Sequence, residues 1–162
     1  MSLAKQLNAL PIQFSAAAHV AYHAHGEQMR RKRELYIHHP VRVAEQILSW
    51  QMSDDSVVAA LLHDVIEDTE WTAERLLARG FSPRSVELVV GMTKLDSEDT
   101  ADYMARILAS GDIELMHLKL ADLNDNSDMH PLDSDWPGWE ESLLRYARFK
   151  VILIKVIREI MS

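Results

Sequence analysis

Apolar residues in this chain recur at spacings of three and four, and short polar or Gly/Pro breaks separate one such block from the next. That period belongs to helices that bury one face, and no segment alternates apolar with polar residues long enough to predict a half-buried strand. Phe14 to His25 is Ala-rich and ends at Gly26, a residue suited to close a helix. After a basic stretch from Gly26 to Tyr36, the segment from Pro40 to Trp50 sets Val43, Ile47 and Trp50 on one face. Asp54, Asp55 and Ser56 offer an N-cap to a helix running through Val57, Leu61 and Ile66. Thr72 caps a short helix ending at Gly80, and Ser82-Pro83 opens the next, because Pro suits a first helical turn. Asp99 or Thr100 starts a helix that stops at Ser110-Gly111, and Asp112 starts its successor. A polar loop with Pro131 and Pro137 leads to a last helix from about Glu140 to Ile160. Its "VILIKVI" has strand-like composition, but the flanking residues favour helix. The expectation is an all-α bundle of seven or eight helices in a single domain, residues 1–162.

A net charge of −8 disfavours nucleic acid and anionic membrane as partners, since both select a basic surface. The chain has no cysteine, so any metal must be held by nitrogen and oxygen. There is no apolar run long enough to span a membrane and no leader pattern, so a cytoplasmic location is expected. The oligomeric state is left open, because Val151 to Ile157 can finish the core or join a dimer.

Three stretches place chemistry inside the apolar pattern. In "LLHDVIEDT", at about 100° per residue, His63, Glu67, Asp64 and Asp68 fall within roughly 140° of one helix face. Such groups are unfavourable in a core unless paired or bound to a cation, although a helix end where acids meet solvent carries the same letters. In "HLKLADLNDN", Asp122 and Asn126 lie one turn apart among Leu118, Leu120 and Leu123. The plain alternative is an amphipathic helix with Lys119, Asp122 and Asp125 on its wet side. In "AHGEQMRRKRELYIHHP", His25 is followed by Gln28, Arg30, Tyr36, His39 and Pro40 around a basic run that is either a solvated loop or a phosphate-binding cluster.

Together the three stretches resemble the HD-domain hydrolases of the RelA/SpoT type and their small stand-alone relatives, which degrade the alarmone guanosine tetraphosphate. The matching residues are His25, Gln28, Arg30-Arg31, Tyr36-Ile37 and His39-Pro40, then His63-Asp64 with Glu67-Asp68, then Lys119 to Asp122 with Asn126. The Met92 to Lys94 run is similar to that family's Thr-Lys, and the likeness extends from about residue 14 to 150.

The resemblance implies that His25, His63, Asp64 and Asp122 ligate one divalent metal, manganese first, with iron, cobalt, zinc or magnesium also compatible with two imidazoles and two carboxylates. It implies that water on this metal ionises near neutral pH, and that Glu67 and Asp68 handle the proton of that water and of the leaving oxygen. Arg30, Arg31, Lys32, Tyr36, Lys119 and Asn126 are the implied substrate-binding residues. His39 is read as fixing the loop beside the site, His19 and His23 as surface or packing residues, and Trp136 and Trp139 as packing under a long loop that borders the nucleotide site in the small relatives.

Three departures bear on the substrate. Arg33-Glu34-Leu35 stands where the family has Gly-x-Pro, the first helix has no Lys or Arg to stack on guanine, and Leu123 replaces a basic residue. The leading expectation is a manganese-type HD phosphohydrolase that cleaves the 3′-pyrophosphate from guanosine tetraphosphate or a near relative. Hydrolysis of another nucleotide or phosphoester, or a catalytically silent regulator that binds metal or nucleotide, are the other two readings.

Overall fold

A computed structural model describes residues 11–31, 34–128 and 137–162. Its order is α1 (Ile12–His25), β1 (Met29–Arg30), β2 (Glu34–Leu35), α2 (His38–Ser49), α3 (Asp54–Leu62), α4 (Val65–Asp68), α5 (Ala73–Ala78), α6 (Pro83–Met92), α7 (Thr100–Ala109), α8 (Ile113–Ser127) and α9 (Trp139–Met161). The fold is all-α. The two strands form one short antiparallel pair, Met29 opposite Leu35, inside the basic stretch.

Local chemistry sets most helix starts. The side chains of Thr72, Ser82, Asp99 and Asp112 accept the N–H groups of Arg75, Ser85, Asp102 and Leu115, so the expected caps act where the sequence placed them. For α3 the cap is Ser53, which accepts from Ser56, one residue before the acidic pair read as the cap. Each such cap is worth about 1 kcal/mol. Gly26 closes α1 with φ 51, where a β-carbon would be strained, and its N–H donates to the Tyr22 carbonyl.

Every residue of α3 from Ser56 to Leu62 is buried, which makes it the central strut. Helices α1, α2 and α6 pack on it, while α8 packs on α2 and α9 on α8. Leu153 and Ile157 of α9 are buried against this bundle, while Val151 is 67% exposed. None of the described helices is long and apolar enough to cross a membrane.

One expectation is corrected. The helix read as continuous through Ile66 stops after Leu62, and Asp64 takes φ −99 and ψ −5 before α4 begins. The cause is local: His63 Nδ1 lies 2.8 Å from the Ala60 carbonyl, the acceptor that a continuing helix would offer to the Asp64 N–H. Counting α3 and α4 as the one helix read from the sequence gives eight among the described residues, and the break gives nine.

Candidate active site

The break at His63 lies beside the start of α2 and the middle of α8. His63 is 1% exposed and His39, in the first turn of α2, is 2% exposed. The His63 Nδ1 faces the Ala60 carbonyl, and the His39 Nδ1 lies 2.7 Å from Asp125 Oδ2. Both partners are acceptors, so both Nδ1 atoms carry a proton, and each ring in its neutral form leaves its Nε2 bare. Those two Nε2 atoms are 3.2 Å apart. Asp122 Oδ1 is 3.3 Å from His39 Nε2 and 3.8 Å from His63 Nε2. Asp64 Oδ2 is 3.0 Å from His63 Nε2 and 3.5 Å from His39 Nε2.

Two lone pairs and two carboxylates facing one buried point require a positive charge. Burial works to lower the His63 pKa, but Asp64 and Asp122 outweigh it and push it up to about 9. Against the opposing effect of burial, His63 holds Asp64 below the usual carboxylate range, and Lys119, followed by His39 and His63, does the same for Asp122. Protonating His63 is one way to supply the charge, and a divalent cation on the two Nε2 atoms and the carboxylates is the other. The residues fit the cation well: ligand atoms of His39, His63 and Asp122 lie within 4.8 Å of one another, and each histidine is oriented by an acceptor behind it.

The structure brings His63, Asp64 and Asp122 together, as the sequence suggested, but with His39 in the position assigned to His25. His25 sits in the next layer. Its Nδ1 is 3.0 Å from Gln28 Oε1, its ring stacks on Tyr36 at 4.6 Å between centroids, and its Nε2 is buried with no hydrogen-bond partner. Tyr36 in turn donates to Asp64 Oδ2 at 2.6 Å. Burial and the Asp64 carboxylate push the Tyr36 hydroxyl far up, so it remains a donor.

The implied substrate residues divide. Lys119 lines the cavity above the cluster, 2.8 Å from Asp122 Oδ2 and 4.7 Å over the Tyr103 ring. Burial opposes its charge, but Asp122 and Tyr103 outweigh that and keep it protonated. Asn126 donates to Asp122 Oδ1 at 2.5 Å and accepts from Arg30 at 2.9 Å. Arg30 is buried on Asp125 and Glu34, and Arg31 donates to the Asn126 carbonyl at 2.6 Å, so both clamp the C-terminal end of α8 and neither lines the cavity. Lys32 and Trp136 lie outside the described residues, and Trp139 is half-buried away from the cavity. Glu67 lines the cavity and accepts the Lys94 N–H at 2.8 Å. Burial, then Asp64 and Asp68, raise its pKa, and burial with Asp64 does the same for Asp68.

The cavity above the cluster holds about 270 Å³. Tyr36 and Glu67 form one side, Met92, Tyr103 and Met104 another, and Arg145, Tyr146 and Phe149 of α9 the third. The sequence carried a signal for Asp125, to which it gave no site role, and for His39, which it read only as fixing the loop beside the site. His39, Val43 and Ile47 share a face at spacing four, and Asp125 follows Leu118 and Asp122 on the buried side of α8.

The sequence matches the HD-domain family model over residues 17–123. It is 39% identical over 120 residues to guanosine-3′,5′-bis(diphosphate) 3′-pyrophosphohydrolase of Aquifex aeolicus, covering 70% of this chain and 17% of that protein. It is 40% identical over 116 residues to the Haemophilus influenzae protein of the same name, covering 66% and 17%. To the bifunctional (p)ppGpp synthase/hydrolase SpoT of Escherichia coli it is 37% identical over 116 residues, covering 66% and 16%. The chain thus spans less than a fifth of the length of these relatives, 17% of the Aquifex protein. A solved structure of a metazoan ortholog of SpoT that hydrolyzes ppGpp superposes with a TM-score of 0.64 at 22% identity, covering 92% of this chain and 96% of that one. That superposition supports the fold.

Proposed function

The chain belongs to the HD-domain family, and we propose that it is a metal-dependent phosphohydrolase that removes the 3′-pyrophosphate from guanosine 3′,5′-bis(diphosphate). The observation that carries this reading is the meeting of two bare imidazole Nε2 atoms, 3.2 Å apart, with two carboxylates at the floor of a cavity. In this reading His39, His63, Asp64 and Asp122 hold one divalent ion, manganese first. That ion, when bound, supplies the charge that acidifies water and draws electron density from a phosphoryl oxygen.

The protein's own groups do the rest. Asp125 and the Ala60 carbonyl keep both histidines in the Nδ1–H form. Tyr36, itself stacked on His25, holds Asp64, while Lys119 and Asn126 hold Asp122. Glu67, raised above the usual carboxylate range and fixed by the Lys94 N–H, takes the proton of the attacking water, with Asp68 beside it. The water oxygen bonds to phosphorus, the bond from phosphorus to the ribose 3′ oxygen breaks, and that oxygen receives the proton that Glu67 took from the water. The products are guanosine 5′-diphosphate and pyrophosphate. Residues 1–162 act as one domain in the cytoplasm, on a small nucleotide and without nucleic acid or membrane.

Turnover of a nucleotide panel with added manganese tests this. Pyrophosphate released from guanosine 3′,5′-bis(diphosphate), and lost in Asp64→Ala, is the expected result. A second reading, hydrolysis of another nucleotide or phosphomonoester, is favoured by Arg30 and Arg31 turning to the end of α8 and by the lack of any Lys or Arg on α1. It predicts free phosphate in place of pyrophosphate. Binding without turnover of any nucleotide refutes both and leaves a silent regulator.

A further inference from the structure

We propose that a second basin beside the reaction cavity receives a phosphate group at the far end of the substrate, held by Arg145 and Arg148 of α9. The proposal rests on the nucleotide-hydrolase reading above. The basin holds about 480 Å³ and lies between the start of α7 and the middle of α9. Thr100, Arg145 and Phe149 line both spaces, so the two share a wall and one extended ligand can occupy both.

The distribution of charge motivates it. The reaction cavity carries the carboxylates of Asp64, Glu67 and Asp122, and its buried cation, Lys119, is tied to Asp122 at 2.8 Å. The arginines expected to neutralise phosphates, Arg30 and Arg31, are engaged at the end of α8. A polyanion that puts its scissile end on this floor must place its remaining charge where cations outnumber carboxylates. The second basin meets that condition, with Arg145 and Arg148 against Asp99. Asp99 already accepts the Asp102 N–H as the cap of α7.

The two arginines lie three apart on one helix face. Among the described residues Arg145 donates once, to Ser142 Oγ at 3.2 Å, and sits 5.6 Å from the Tyr146 ring centre. Arg148 has no hydrogen bond or ion pair among the described residues. Guanidinium forks match phosphate oxygens in pairs, and Phe149, Ile152 and Ala101 line the basin beside them.

Kinetics on the full chain with manganese tests the basin, using guanosine 3′,5′-bis(diphosphate) and the same nucleotide with a free 5′-hydroxyl. The Arg145→Gln/Arg148→Gln double variant is expected to raise KM for the first about tenfold or more, as loss of two charge-assisted contacts does. It moves kcat far less and leaves KM for the 5′-hydroxyl compound near its starting value. Arg158→Gln, on an exposed later turn of α9, is the control and changes neither. Equal loss on both nucleotides, or loss on neither, overturns the proposal. Calorimetry with guanosine 5′-diphosphate needs no turnover, so it separates this proposal from the activity reading. Weaker binding by the double variant supports the basin even if no nucleotide is hydrolysed. Equal affinity, or no binding to the starting protein, overturns it.

Discussion

Asp125→Asn tests whether His39 is held ready to donate a lone pair. The Asp125 side chain is 3% exposed and its two oxygens serve four donor atoms on three residues: His39 Nδ1 at 2.7 Å, Arg42 Nε at 2.5 Å and Nη2 at 3.2 Å, and Arg30 Nη2 at 3.2 Å. Asparagine keeps the shape but leaves one oxygen. The charged arginines bind that oxygen more strongly than a neutral imidazole does. The amide nitrogen then faces His39 Nδ1, and the imidazole proton moves to Nε2, the atom 3.2 Å from His63 Nε2. Loss of an orienting carboxylate behind a histidine ligand lowers metal affinity about 10- to 100-fold, or about 1.4–2.8 kcal/mol. The variant also leaves the arginines under-satisfied, which destabilises the fold by about 1–3 kcal/mol. Calorimetric titration of chelator-treated protein with manganese reads the first effect, and urea unfolding without metal reads the second. Arg42→Gln separates them, because it breaks the ion pair while leaving the carboxylate on His39; it should lower the urea midpoint and keep most of the metal affinity. If Asp125→Asn binds manganese as tightly as the starting protein, the orienting role is refuted.

His39→Ala should abolish manganese binding while His25→Ala retains most of it, and the reverse result in the same titration would restore His25 as the ligand. Glu67→Gln should lower kcat about 10²- to 10⁴-fold with manganese affinity unchanged, as expected for a proton-handling group and not a ligand. Leu62→Ala, in the fully buried strut α3, should cost about 2–5 kcal/mol in urea unfolding, and a loss under about 1 kcal/mol would contradict its place in the core. Arg84 bonds Asp112 at 2.8 Å and Glu114 at 2.8 Å and holds the Asp112 carboxyl below its usual range; Glu114 is also lowered, its bonds from Ser53, Arg84 and Ser56 outweighing burial. Folded values below the unfolded ones give stability that is complete above about pH 4–4.5 and lost as pH falls further. Melting temperatures from pH 7 to 3 should show that loss, and Arg84→Met should flatten it.

What the sequence disclosed follows the range of each interaction. Caps act over three residues, so Thr72, Ser82, Asp99 and Asp112 were legible from composition and spacing alone. That His63, Asp64 and Glu67 address one cavity was legible in the same way, although Asp68 is not among the residues that line it. The helix break between them was not, because it depends on a side chain taking a backbone acceptor, and helical periodicity carries no term for that. The contacts of Arg30 with Asp125 and of Arg31 with the Asn126 carbonyl were not legible, because these partners lie more than ninety positions away in the chain.

The proposal of His39 in place of His25 as a ligand has the same origin but a more specific lesson. Both histidines sit in one motif, and each lies at the edge of a helix, so spacing from Gln28 or Pro40 cannot rank them. What ranks them is where the second nitrogen lies. Both rings turn Nδ1 to an acceptor, Asp125 for His39 and Gln28 for His25. The buried carboxylate of Asp125 aims the His39 Nε2 to within 3.2 Å of His63 Nε2 and 3.3 Å of Asp122 Oδ1, whereas the His25 Nε2 is buried with no hydrogen-bond partner among the described residues. The Asp three residues after Asp122 is therefore as informative as the histidines themselves: a buried acid on the inner face of α8 needs a donor opposite it, and in this bundle the first turn of α2 supplies one.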